Sequence, residues 1–268
     1  MTTSPTRNAM WIRDIRRVMH RKTFGPYGVA ALVVSIAAGC GREPSSPAET
    51  RNADREHALE QLDESMTVVR AMLESNEIPR SRREKARCVV VSPSLVSGGL
   101  VLGVERGSGV VACRTPTGWS GPAFVTVTGG SAGLQAGFES ADVVMLVMSE
   151  RAVAQLFRSS FQLGADASAA AGPVGRDAQA STDEKLTAEI LSYARSRGLF
   201  AGVQLNGAVM KQAPALASAL YGGSPDVHTI LAGQVSLPRE ASRFVDELQK
   251  AFPQRDADVS AMTAPPSP

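Results

Sequence analysis

The chain has 268 residues, room for one domain of ordinary size with appendages, and a formal net charge of +2. Residues 1–39 hold six basic side chains (Arg7, Arg13, Arg16, Arg17, Arg21, Lys22) against Asp14, leaving 22 basic and 25 acidic residues, a net of −3, from Cys40 onward. Without that leader, bulk charge excludes a basic nucleic-acid binder.

The first element reads as an export signal. The Arg-rich stretch up to Lys22 precedes an apolar run from Val29 to Ala38 that ends in Gly39-Cys40. The run is shorter than the roughly 20 residues of a membrane span and fits a signal-peptide core. Ala37-Ala38-Gly39-Cys40 resembles the bacterial lipobox, which implies removal of residues 1–39 and lipidation of Cys40; an uncleaved anchor helix is the alternative. Gly41 after the cysteine resembles the pattern that sorts lipoproteins to the outer membrane, facing the periplasm. Each buried methylene of an acyl chain contributes about 0.8 kcal/mol, so several chains hold a protein on a membrane almost permanently. Residues 40–54, rich in Gly, Pro, Ser, Ala and charges, read as a flexible tether.

Residues 55–76 carry Leu59, Leu62, Met66, Val69 and Leu73 at three- and four-residue spacing, which predicts a helix. Ile78-Pro79 opens a short second helix bearing Arg80, Arg82, Arg83, Lys85 and Arg87, opposed only by Glu84. From Cys88 the period becomes that of strands: 88–92, 99–106, 109–114, 123–128, 133–139 and 142–148, separated by Gly, Ser, Pro or Thr clusters as in an antiparallel meander. A brief helix is expected over 150–157, and strand-like pieces over 161–170, 191–194 and 198–210. A last helix, 238–252, has the stripe Ala241, Phe244, Val245, Leu248 and Phe252. Residues 253–268, rich in Pro, Ser and Ala, are expected to be disordered.

One glycine-spaced phrase occurs three times, at Gly99–Glu105, Gly133–Glu139 and Gly198–Gln204. Glycine weakens a strand unless the backbone must bend or another backbone must approach closely, so its repetition predicts a curled, tightly packed sheet. The expected fold is therefore α+β: a curled antiparallel sheet, barrel-like or a sandwich, flanked by N- and C-terminal helices. Cys88 and Cys113 flank the first phrase; they either form a disulfide, which an oxidising compartment permits, or stand as two small buried hydrophobes.

Eight phrases occur in the order found in the SYLF domain: Ser92-Pro93-Ser94 with Gly98-Gly99; Gly103 with Arg106-Gly107-Ser108-Gly109; Gly118-Trp119-Ser120-Gly121-Pro122-Ala123-Phe124; Gly129-Gly130-Ser131-Ala132-Gly133; Leu163-Gly164-Ala165-Asp166; Gly172-Pro173-Val174-Gly175-Arg176-Asp177; Ser192 through Gly202; and Tyr221-Gly222. The chain resembles that family from about Leu59 to Phe252. The resemblance implies a non-enzymatic lipid-binding module whose eukaryotic members bind phosphoinositides and, in some cases, actin. In an exported lipoprotein, anionic phospholipid is the ligand that carries over, and the anchored membrane is the expected partner.

The cations Arg80, Arg82, Arg83, Lys85 and Arg87 are the candidate head-group contacts, since each Lys or Arg near an anionic surface contributes about 1 kcal/mol; the alternative is a solvated helix face. Trp119 suits either a membrane interface or the core. Arg176, Asp177, Arg195 and Arg197 suit structural salt bridges or a phosphate site. A rival reading comes from Gly129-Gly130-Ser131-Ala132-Gly133, which matches the G-x-S-x-G nucleophile elbow and is followed by Asp166 and His228 in hydrolase order. That elbow requires a strand and then a helix, whereas strand character follows Gly133. A third reading is an envelope module that docks a protein partner. Beyond Cys40 the histidines are His57 and His228, with no H-E-x-x-H spacing, and no cofactor or metal is implied.

Overall fold

The computed structural model describes residues 46–99, 102–132, 137–175, 187–196 and 198–253, excepting the side chains of 97–105 and 130–139. The expected leader, Cys40, Arg176, Asp177, Arg197 and residues 254–268 lie outside the described residues.

Helix α1 runs from Pro47 to Ser75. It starts eight residues before the expected Arg55, so residues 47–54 are helix and not tether. The cause is local: the Ser46 hydroxyl accepts the Glu49 amide at 3.2 Å while the Glu49 carboxylate accepts the Ser46 amide at 2.6 Å, with Pro47 in the first turn. The hydrogen bonds hold the Glu49 carboxyl below its ordinary range. Ala58, Leu62, Met66, Val69 and Met72 form the buried stripe. Asn76, at φ +50°, ends the helix in the left-handed region. A second, short helix α2 follows at Arg80–Lys85.

Among the described residues ten strands form one strongly curled half-barrel sheet. In chain order they are β1 (Cys88–Gly99), β2 (Leu102–Thr115), β3 (Gly118–Trp119), β4 (Ala123–Ala132), β5 (Gly137–Val147), β6 (Ser160–Gln162), β7 (Ala169–Ala171), β8 (Ile190–Ser196), β9 (Leu199–Gly202) and β10 (Val209–Gln212). The spatial order is β6-β10-β4-β2-β1-β5-β8-β7, with β3 on β2 and β9 on β8. All pairs are antiparallel except β7 with β8. The expected meander is thus corrected: β4 pairs along the outer edge of β2 over ten residues, which leaves the far edge of β1 to β5.

Strands expected to break at glycine run through it. A Cβ on Gly109 would stand 3.0 Å from the Val91 carbonyl oxygen, so this position serves close approach inside a continuous β2. A register shift between Ser92 and Leu95 bends β1. Cys88 and Cys113 face each other across β1 and β2, and their sulfurs are bonded at 2.02 Å. Val89–Val91 and Val143–Val147 are buried at every position, the pattern of strands covered on both faces. Helix α1 packs on β1 and β2.

The remaining helices among the described residues are α3 (Glu150–Leu156), α4 (Pro214–Tyr221), α5 (Val227–Leu231) and α6 (Arg239–Ala251). Helix α6 buries Ala241, Phe244, Val245 and Leu248, as its periodicity predicts, and packs with α4 on α1. Helices α4 and α5 were not anticipated. Among the described residues no helix is long and apolar enough to cross a membrane.

Candidate functional site

The five cations expected to act together are divided by the turn of α2. Arg83 points inward and is 5% exposed. Its guanidinium donates to the Ile78 carbonyl at 3.2 Å and to the Ala251 carbonyl, tying α2 to the end of α6. Burial weakens its hold on the proton, Arg80 adds to that effect and Glu84 opposes it. Arg83 is therefore a strut and is withdrawn from the head-group set. Arg114 of β2 completes the support: it donates to the carbonyls of Ala86, Arg83, Phe252 and Pro253 and lies 4.8 Å from the centre of the Trp119 ring. A cation at the carbonyl end of α2 is favourably placed.

Arg80, Lys85 and Arg87 remain exposed, and Arg82 is half-buried. Arg80 pairs with Glu84 at 2.6 Å and Arg87 with Glu150. Exposed pairs of this kind contribute at most about 1 kcal/mol, so both can be exchanged for a phosphate at little cost.

One exposed apolar residue was missed in the sequence. The Phe200 amide donates to the Glu77 carboxylate, which fastens β9 to the connection between α1 and α2. The neighbouring Leu199 is 68% exposed, just after Gly198 at φ +88°. Arg82 also acts here: burial pushes the Tyr193 hydroxyl well above its usual range, and the Arg82 charge opposes the shift. The signal was present in Gly198-Leu199-Phe200, but alternation alone does not say which of two neighbouring apolar residues faces outward. Phe200 faces inward, at 4% exposure.

The other candidates fall into place around this core. Trp119 is 7% exposed and meets Phe252 edge-on at 5.5 Å, so it belongs to the core. Arg195 pairs with Asp142 at 3.3 Å, the structural role. Ser131 lies in β4 opposite Gly103, and the next described element, beginning at Gly137, is a strand; the strand-to-helix turn of a nucleophile elbow is not formed by these elements. The Asp166 carboxylate accepts the Gln162 amide at 2.7 Å, and the His228 ring meets Phe157 edge-on at 4.5 Å. Among the described residues no three His, Cys, Asp or Glu groups converge as metal ligands.

Comparison with known proteins follows the same lines. Residues 128–251 match the family model described as Ysc84, Las17-binding protein actin regulator. The chain is 37% identical over 168 residues to an SH3 domain-containing protein of Schizosaccharomyces pombe, covering 61% of this chain and 39% of that one. It is 31% identical over 176 residues to the human SH3 domain-containing YSC84-like protein 1 (64% and 52%), and 30% identical over 208 residues to protein YSC84 of Saccharomyces cerevisiae (72% and 44%). The chain spans about half the length of these relatives or less, and their names denote no catalytic activity. The family match and the YSC84-like relatives together support a Ysc84 domain, the SYLF type, in this chain.

Proposed function

We propose that this chain is a non-catalytic module that binds anionic phospholipid surfaces, exported and held at a bacterial membrane by acyl chains on Cys40. The observations that carry the reading are the outward cations Arg80, Arg82 and Lys85 of α2 with Arg87 just after it, and the exposed Leu199 of β9, whose neighbour Phe200 is bonded to Glu77 just before α2. Cations supply attraction to lipid phosphates, and an exposed leucine supplies apolar surface that gains by entering the acyl boundary. The Cys88–Cys113 bond suits an oxidising compartment, which agrees with the periplasmic side of the outer membrane.

The test uses the full chain with Cys40→Ser, so that no acyl anchor contributes. Co-sedimentation is measured with vesicles of phosphatidylcholine alone and with added phosphatidylglycerol or phosphatidylinositol. Binding is expected only with the anionic vesicles, reduced at least tenfold by combined Arg80→Gln, Arg82→Gln and Lys85→Gln changes. Equal sedimentation with neutral and anionic vesicles overturns the reading. Recovery of one crosslinked envelope protein without vesicle binding favours instead the protein-docking module, toward which the words "Las17-binding protein" in the family's description point. Hydrolysis of short acyl esters that disappears in Ser131→Ala would revive the esterase.

A further inference from the structure

We propose that a cavity between α1 and the bend in β1 binds a small organic cation carrying a primary ammonium group next to an oxygen, the chemistry of ethanolamine, free or as a lipid head group. The cavity has a volume of about 270 Å³ and is lined by His57, Glu60, Gln61, Glu64, Pro93 and Ser108. The spacing of the four helix residues places them on one face of α1.

Its distinguishing feature is Gln61. This side chain is 3% exposed, yet neither its amide nitrogen nor its amide oxygen has a hydrogen-bond partner. One turn on, the fully buried Ser65 hydroxyl is also unpartnered. Buried polar groups are nearly always satisfied, and each exception calls for a reason. Across the gap the Ser92 hydroxyl is already used by the Ser108 carbonyl at 2.8 Å, so the sheet offers Gln61 little in return. Of these two groups Gln61 lines the cavity, and a group arriving there would supply the partners its amide lacks.

The lining selects what that group is. Glu60 and Glu64 are exposed at the mouth and form no ion pair with any described lysine or arginine, so an anion is repelled and a cation attracted. Among the described lining residues there is no Phe, Tyr or Trp, and His57 is the one aromatic ring, too few for the cage of a quaternary ammonium or a stacking platform for a sugar. A primary ammonium has three N–H donors, matched by two carboxylates and the Gln61 oxygen. The Gln61 nitrogen then requires an acceptor close to the ammonium, which the oxygen of ethanolamine supplies.

The test uses the full chain with Cys40→Ser and 15N-labelled glutamine. Ethanolamine is expected to shift the Gln61 side-chain amide resonances, and tetramethylammonium is expected to leave them in place. Glu60→Gln with Glu64→Gln should weaken ethanolamine binding at least about tenfold. Gln61→Leu should abolish it while the fold, checked by circular dichroism, persists; if that variant does not fold, the double glutamate variant alone decides. Sedimentation with phosphatidylethanolamine vesicles but not phosphatidylcholine vesicles identifies a lipid as the source, and a response to free ethanolamine alone identifies a soluble amine. Absence of both responses, or binding unchanged in these variants, overturns the proposal. The Arg80→Gln, Arg82→Gln, Lys85→Gln variant should keep the ethanolamine response, which separates this site from the anionic-surface reading.

Discussion

Reduction of the Cys88–Cys113 bond offers the cleanest measurement on this fold, because it changes one covalent link and no side-chain volume. The two cysteines are 25 residues apart, and the loop-entropy relation for that length gives about 3.5 kcal/mol of stabilisation. The bond joins residues already opposed in the β1–β2 ladder, and its stabilisation is assigned to the constraint it places on the unfolded chain. For a domain of this size, about 3.5 kcal/mol corresponds to roughly 7–14 °C in melting temperature. The assay is thermal unfolding of the oxidised chain, the reduced chain and the double variant Cys88→Ala with Cys113→Ala, followed by circular dichroism. The reduced chain should melt within that interval below the oxidised one. The double variant should lie slightly lower still, since it also empties space at two buried positions. Melting of the oxidised and reduced chains within 2 °C of each other refutes the loop-entropy argument.

A Cβ on Gly202 would stand 2.2 Å from the Gly172 carbonyl oxygen, so Gly202→Ala should cost about 1–3 kcal/mol in urea unfolding, while Gly223→Ala, with open space around it, should cost almost nothing. Arg114→Ala removes a guanidinium bonded to the ends of both α2 and α6, and should destabilise by about 3 kcal/mol or more and alter the near-ultraviolet signal of Trp119. Burial opposes the charge of Glu189, yet the Ser168 amide and the Ser149 and Ser168 hydroxyls, with Arg151, outweigh it and hold the carboxyl below its ordinary range. A carboxyl with a depressed folded-state value lends stability above the ordinary value of about 4.3 and loses it as pH falls through the folded value; Glu189→Gln should flatten that acid limb in pH-dependent unfolding.

The terminal helices and the middle of each long strand were legible because their signal is local: an apolar stripe in α6, and a run such as Val143–Val147 in β5. The early start of α1 was legible too, in Ser46-Pro47-Ala48-Glu49, but composition hid the capping pattern. Strand order was not legible, because the pairing of β5 with β1 depends on residues about fifty positions apart. The same limit applies to the candidate site. In the run from Arg80 to Arg87 every cation looks alike, and the inward turn of Arg83 depends in part on the carbonyl of Ala251, far along the chain. Gln61 likewise reads as surface between Glu60 and Leu62, until the bent β1 is laid against it.

The half-barrel keeps its longest strands inside and finishes in short ones, three-residue β6 on one flank and, along the outer edge of β8 on the other, three-residue β7 and four-residue β9. Short rims offer a visiting chain few rungs to grip. Copies of the domain brought together at high concentration therefore gain little from pairing rim to rim, which guards the fold against edge-to-edge aggregation.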